Sequence, residues 1–437
     1  MSPSAVVRVS GRSGHRRLIT AAAVTLLVAA CGSSNTPSSG GGGATGNIKT
    51  DSSGHVSYGV LSCFTGTLAV LGQAMLQGSQ VAQKVINDNG GVLGKQLDLS
   101  HADTQCDEAD AVPAVRQLLS ADSASGIIGP ETQEIAAVSP IVSAAKIPTE
   151  FQGGSTDFDK NANQYLWRDS PSDSQLGVAM ALYANKKGYK TAALLFSSDI
   201  AQQTIPKPIK ATWQKFGNSI VADVTVAPGQ TSYRTQVQNI INAHPDVIFT
   251  QLDPQTAAVM FQNFKELDNL AIPIVGTDVT SGDDYLKAIT YPIAHDHLIS
   301  VFGTNATGAA ADNFAKAFAA QNGATAQPIA GANYAYDAVL SLALAMDKAG
   351  TTDGPGVIAA MKSVTNPPGQ ACDAYADCLR ALQAGTKIKM DGASGDLIFN
   401  GFNNVFGPYG AFQADASSGK EAQVQLLSAS DLAAATP

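Results

Sequence analysis

From position 56 onward the chain alternates short β-rich apolar runs with longer stretches in which apolar residues recur every three or four positions. Runs at 56–61, 96–101, 126–129 and 147–151 each end in a turn signal and predict strands. Between the first two, Leu71, Met75, Gly78, Ala82 and Val85 mark one helical face, and Val112, Val115 and Leu118 mark the next. The result is βαβαβ, the pattern of a parallel sheet. The rhythm restarts after Asp169, with a helix over 175–187, a strand over 192–196, a helix over 208–216, a strand over 220–226, a helix over 235–243 and a strand over 247–250. Two α/β units in series predict two Rossmann-like lobes.

The boundary has its own signature. Ser172-Asp173-Ser174-Gln175 has capping-box spacing, so a helix should start just after Trp167-Arg168-Asp169 leaves the first lobe. Later, 298–302 reads as a strand returning to the first lobe, helices follow over 310–321, 334–348 and 357–363, and 396–399 is read as a further crossing. Several crossings make a hinge rather than a loose linker. The expected division is 55–172 plus 304–396 for lobe 1 and 173–303 plus 397–437 for lobe 2.

The N-terminal 54 residues follow a different pattern. Arg8, Arg12, Arg16 and Arg17 precede the apolar run 18–30, too short to span a bilayer comfortably, and small residues lead to Cys31. Residues 1–30 therefore read as an export signal. Val28-Ala29-Ala30-Cys31 resembles the bacterial lipobox, which implies lipidation of Cys31; an ordinary signal peptide with an incidental Cys is the alternative. The stretch 31–54, with Gly40 to Gly43, reads as a flexible tether with an r.m.s. reach of roughly 25–30 Å. The expected location is the outer face of a bacterial cytoplasmic membrane, held there by a lipid anchor.

Of 437 residues, 27 are basic and 36 acidic. With the four early arginines set aside, 23 basic residues face 36 acidic ones, which excludes nucleic acid as a partner. Four cysteines remain after Cys31, an even number in an exported chain, and three pairings are open. Cys63 and Cys106 each follow a predicted strand, and Cys372 and Cys378 are close in sequence, so the expected pairs are Cys63 with Cys106 and Cys372 with Cys378. Zinc would need tighter ligand pairs with nearby His, so no metal is expected. His295-Asp296-His297 reads as a solvated loop.

No nucleophile elbow, phosphate loop or zinc-protease motif is present in the sequence. Gly91-Val92-Leu93-Gly94-Lys95 has short spacing and is followed by Gln96, so it reads as a turn into a strand. An enzyme is not expected, and neither is a cofactor.

Gly59-Val60-Leu61-Ser62, Gly90-Gly91-Val92-Leu93-Gly94, Asp103 with Cys106-Asp107, Ile127-Ile128-Gly129-Pro130, Arg168 with Pro171-Ser172-Asp173-Ser174-Gln175, Pro245-Asp246-Val247-Ile248-Phe249 and Ala393-Ser394-Gly395-Asp396 occur in an order and spacing that carry a resemblance. The chain resembles the type I periplasmic solute-binding proteins of the leucine, isoleucine and valine type that serve ABC transporters. The resemblance implies a two-lobe Venus-flytrap clamp that closes on a small solute and presents it to permease subunits, acting as a monomer. It places ligand contacts at Thr132 and Gln133, at Gly153, Gly154 and Ser155, and at Asp278 as the holder of an ammonium. Each has a plainer reading: a helix cap, a Gly-rich turn and a solvated loop acid. Ala201 and Asp253 stand at ligand positions where the family often has aromatics. Glu131 and Glu150 replace usual apolar residues and are expected to face solvent. A lipid-anchored sensor, or a clamp for an amide, polyol or aromatic acid, remains an alternative.

Overall fold

The computed structural model describes residues 47–66, 69–199, 203–268, 270–304, 308–329 and 331–437. The signal segment, Cys31, most of the tether and Ala201 lie outside the described residues.

The first βα series is built from β1 (Val56–Ser62), α1 (Ala69–Asp88), β2 (Leu97–Asp103), α2 (Glu108–Ser120), β3 (Gly126–Ile128), α3 (Ile135–Ala145), β4 (Thr149–Phe151) and β5 (Leu166–Arg168). Its strands form one parallel sheet in the order β2-β1-β3-β4-β5. Every residue of β1 is buried, as expected of an inner strand with helices on both faces. The second series runs through α4 (Asp173–Lys186), β6 (Thr191–Ser197), α5 (Pro206–Lys215), β7 (Ser219–Val226), α6 (Arg234–Asn242), β8 (Val247–Gln251), α7 (Pro254–Asp268), β9 (Ile274–Gly276), α8 (Asp283–Ile289), α9 (Tyr291–His297) and β10 (Leu298–Gly303). Here β7-β6-β8-β9-β10 repeats the strand order of the first lobe.

The chain then returns with α10 (Ala309–Asn322), α11 (Ala332–Ala349), α12 (Gly354–Thr365), β11 (Gln370–Cys372), α13 (Tyr375–Gln383) and β12 (Ile388–Met390). Helix α11 is buried from Ala332 through Met346, with only Tyr334 partly open, because it is wedged among α1, α12 and the sheet. Its approach to α1 requires Gly78: a Cβ there would stand 1.9 Å from the Ala332 carbonyl oxygen. Finally β13 (Tyr409–Ala414) pairs antiparallel with β10, β14 (Glu421–Leu427) pairs antiparallel with β13, and α14 (Ala429–Ala435) closes the described chain.

Among the described residues four apolar clusters hold the two lobes. In the first lobe, α1 and α10–α13 pack one sheet face, and α2 and α3 pack the other. In the second lobe, α4 and α5 cover one face and α6–α9 the other. Both are doubly wound α/β layers. Among the described residues no helix is long and apolar enough to cross a membrane.

Among the described residues three stretches leave one sheet for the other: 168–173, the chain after Gly303 and Thr304, and 404–409. They are tied together by backbone hydrogen bonds, from Arg168 N to Asn403 O at 2.8 Å, Val405 N to Arg168 O at 3.1 Å and Thr304 N to Pro408 O at 3.2 Å. This corrects two expectations. Strand β10 does not return to the first lobe, because Leu298 and Val301 are buried in the second lobe's cores; the return comes after it. Nor does 396–399 cross, since Leu397 and Phe399 pack in the first lobe's core, Phe399 edge-on against Trp167 at 5.0 Å, and the crossing follows Asn404. The first lobe therefore extends beyond 396.

The capping-box expectation is half met. Ser172 Oγ caps α4 through Ser174 N at 3.1 Å, but Gln175 does not reach back; its Nε2 donates to Val405 O at 3.4 Å, across to the third crossing. The expected loop at 295–297 is the end of α9, where His295 Nδ1 lies 2.7 Å from the Ala414 carbonyl oxygen, because β13 packs beside it. Both disulfides are formed: Cys63–Cys106 joins the ends of the paired strands β1 and β2, and Cys372–Cys378 links β11 to α13.

Candidate functional site

β5 and β10 both leave their sheets at the carboxyl end and lead straight into crossings. The carboxyl edges of the parallel strands of the two sheets therefore adjoin where the lobes meet. In open α/β sheets that edge is where ligands bind.

The turn after β4 lies at this junction and is held by Arg168. This side chain is 1% exposed, and all three guanidinium nitrogens are committed. Nη1 donates to the carbonyl of Ser155 at 2.9 Å and to those of Gly153 and Gly154 at 3.4 Å, Nε donates to Asn404 Oδ1 at 3.0 Å, and Nη2 donates to Asp159. Asp159 also accepts from the Ser174 hydroxyl on α4, which links the turn to the second lobe. Thr132 Oγ1 accepts from Gly154 N at 2.9 Å. Gly154 O in turn accepts from Asp173 N at 2.8 Å, and a Cβ on residue 154 would stand 2.2 Å from Asp173 Oδ1. Only glycine fits against that carboxylate.

Carboxyl groups gather around this turn. Asp173 accepts from the Thr204 hydroxyl, and burial, with Asp278 nearby, pushes its pKa up to about 6. Asp278 opens a short 3-10 turn after β9. It is reached by solvent yet has protein around it, and the resulting desolvation raises its carboxyl pKa. Asp169, immediately after β5, is 1% exposed, and burial together with Glu150, Asp337 and Glu131 raises it well above the usual carboxylate range. Tyr334, at the start of α11, feels both Asp169 and Asp278, and Tyr409 feels Tyr334, Asp173 and Asp278. Tyr409 also donates to Ser172 O at 3.3 Å, so acids from both lobes and two phenols share one region.

Several polar atoms here have no partner among the described residues. They are Gln152 Nε2 beyond β4, both carboxylate oxygens of Asp169, Ser170 Oγ, Gln175 Oε1 at the start of α4, and Gln251 Oε1 at the end of β8. Buried polar groups are normally satisfied, so these atoms at the strand carboxyl ends call for partners beyond the described residues.

The structure brings Thr132, Gly153, Gly154 and Ser155 together, in a different arrangement from the one expected. Helix α3 begins at Ile135, later than Thr132 and Gln133, with Glu134 at its N-cap, so an acid rather than a free anion seat occupies that end. Gln133 lies half-buried in the preceding turn. Ser155 Oγ caps its own 3-10 turn through Asp157 N at 3.3 Å. Asp253 is the cap of α7: its Oδ1 accepts from Gln255 N at 3.0 Å and Thr256 N at 2.9 Å. Glu131 and Glu150 do not face solvent. They are 7% and 0% exposed, and Glu150 accepts from the Ser341 hydroxyl at 2.5 Å, because α11 covers that side of the sheet. Sequence reasoning assigned no solute contact to Arg168, Asp169, Asp173, Tyr334 or Tyr409. An Arg-Asp pair directly following the apolar 165–167 was the available signal.

A family model described as periplasmic binding protein matches residues 55–375. The chain belongs to that family. Leu/Ile/Val-binding protein homolog 3 of Brucella melitensis is 24% identical over 309 residues, covering 70% of this chain and 82% of its own. The amino acid binding protein of Pseudomonas aeruginosa is 23% identical over 326 residues, covering 70% and 82%. Among solved structures, the LivJ substrate binding protein of a branched-chain amino acid transporter from Streptococcus pneumoniae, in complex with isoleucine, superposes with a TM-score of 0.70 at 22% identity over 86% of this chain and 99% of its own. A solute binding protein of an R. palustris ABC transporter, in complex with benzoate, gives 0.67 at 19% identity over 88% and 97%. The periplasmic-binding-protein type I architecture expected from the sequence is thus the one observed. The family consists of extracytoplasmic binders of small solutes for ABC transporters, not of enzymes.

Proposed function

We propose that this periplasmic binding protein is a lipid-anchored monomer that captures a small polar solute, an amino acid or a related compound, between its lobes and delivers it to an ABC permease. The observation that carries this reading is the set of unpartnered polar groups on Gln152, Asp169, Ser170, Gln175 and Gln251 at the carboxyl edges of both sheets. A solute that satisfies groups from both lobes binds the closed arrangement better than the open one, and that difference drives closure. The three crossings supply the hinge, since a few backbone dihedrals in each absorb the rotation. The isoleucine and benzoate complexes of similar folds support a solute with a polar head of modest size. The anchor rests on the lipobox-like junction at Cys31, and the tether gives the lobes freedom to meet the permease.

The test is a thermal-shift screen of amino acids, amides, sugars and small acids on the mature chain, followed by solution scattering. A hundredfold excess over Kd adds about 2.7 kcal/mol of stability, so a true solute raises the melting temperature. The scattering radius should then fall while the mass stays monomeric. A tight binder that leaves the radius unchanged refutes the clamp.

A further inference from the structure

The two disulfides sit in different chemical surroundings. Cys63 Sγ lies 3.3 Å from Glu134 Oε1, and the Thr104 hydroxyl donates to that same oxygen at 2.6 Å while accepting from Cys106 N at 3.2 Å. Cys63 and Glu134 are both 0% exposed, and Glu134 Oε2 has no partner among the described residues. An ionised carboxylate is poorly held there. Burial raises the Glu134 pKa over the opposing Thr104 bond, and Asp107 at the cap of α2 adds to the rise; Glu131, from the same turn, is a second acid facing it. The neutral carboxyl carries its proton towards the Cys63 sulfur. At the other end Cys106 is only half-buried, and it and Gln105 hold positive φ angles of 59° and 53°, a conformation that residues with side chains adopt at a cost and that opening the bridge relieves. Cys372–Cys378 has none of this: its sulfurs belong to residues 7% and 1% exposed, and Cys372 Sγ faces the Lys389 carbonyl at 3.7 Å, a group with no proton to give.

We propose that Cys63–Cys106 is a thiol-exchange site, opened by a dithiol reductant at Cys106 with Glu134 as the acid that protonates the departing Cys63 sulfur. A thiolate of the reductant attacks Cys106 Sγ, the bond between the two sulfurs breaks, and its electron pair leaves on Cys63 Sγ, which takes the Glu134 proton. The reductant's second thiolate then attacks its own sulfur in the mixed disulfide and releases Cys106, which is protonated by water as Glu134 is. The bridge gains two electrons and two protons, and the dithiol becomes a disulfide. Thr132, two residues from Glu134, holds Gly154 N through its hydroxyl at 2.9 Å, so this chemistry takes place on the segment that supports the turn after β4.

Reduction of the mature chain by dithiothreitol, quenched with an alkylating agent and resolved by peptide mapping, gives a rate constant for each bridge in the same sample. Glu134→Gln keeps the shape and removes no cap from α3, since the Glu134 side chain makes no cap bond there. At pH 6 it should slow opening of Cys63–Cys106 roughly tenfold or more and leave Cys372–Cys378 unchanged. The wild-type rate constant for Cys63–Cys106, expressed per dithiothreitol thiolate, should fall as pH rises from 5 to 9 and Glu134 loses its proton; that of Glu134→Gln should be flat. A rate constant with the same pH profile in both chains overturns the proposal, as does a loss in Glu134→Gln shared equally by the two bridges, which would report general opening of the fold.

Discussion

Glu131→Gln should make the protein more stable at neutral pH and leave it unchanged in acid. Glu131 follows β3, is 7% exposed, and has its pKa pushed up to about 8 by burial and by Glu134, against a smaller opposing effect from the Ser62 hydroxyl. The folded chain thus keeps a proton that the unfolded chain gives up above its ordinary glutamate pKa of 4.5. Stability from this group is full below that value, declines as pH rises and levels off above about 8. At about 1.36 kcal/mol per unit, the loss between the two pKa values reaches roughly 3 kcal/mol by pH 7. A glutamine amide has nearly the shape of the protonated acid and does not titrate, so the loss disappears. With about 2.1 cal/mol/K of unfolding entropy per residue over roughly 390 residues, the gain corresponds to roughly 4 °C in Tm at pH 7. Asp169, Glu150 and Asp337 are also raised by burial, so the wild type as a whole should lose stability from pH 5 to pH 8. The difference between wild type and variant isolates Glu131. Differential scanning calorimetry at pH 5 and pH 7.5 reads it directly. A Tm difference that does not change between the two pH values would show that Glu131 is ionised in the folded chain and refute the reasoning.

Two further substitutions probe the architecture. Gly154→Ala places a methyl 2.2 Å from Asp173 Oδ1 and should cost about 1–3 kcal/mol in urea unfolding while weakening the solute-induced thermal shift; an unchanged protein would mean the turn and α4 are not in contact. Replacing Cys63 and Cys106 by Ser opens a bridge between residues 43 apart in sequence, against 6 for Cys372 and Cys378. Loop entropy assigns about 4 kcal/mol to the first and about 2 to the second, so the first double variant should unfold at lower urea, and non-reducing peptide mapping of the wild type should recover both bridges.

The two-lobe α/β architecture was legible in the order of elements. Periodicity of two and of three to four records which faces are buried, and burial of those faces is what makes the elements. The family resemblance was legible because turn glycines, the Arg168 to Gln175 stretch and the disulfide cysteines sit at local, sequence-ordered positions. The turn at Gly153 to Ser155 was found for the same reason. The antiparallel strands β13 and β14 passed unread, since β14 is an edge strand with exposed Val424 and Leu426 and carries little buried-face signal.

Tertiary structure alone decided the chemistry of the junction. Charge in a sequence reads as solvent-facing, so Glu131 and Glu150 looked like surface acids; only the packing of α11 over the sheet buries Glu150 and pairs it with Ser341, a partner 191 positions away. Arg168 looked like part of a motif, but its bonds to Asn404 span 236 positions and exist only because two crossings run side by side. A desolvated carboxylate depends on what surrounds it in three dimensions, and residues distant in sequence supply those surroundings. Sequence by itself determined the lobes, the clamp family and the turn. Folding determined that this turn lies against the protein's own acid, Asp173.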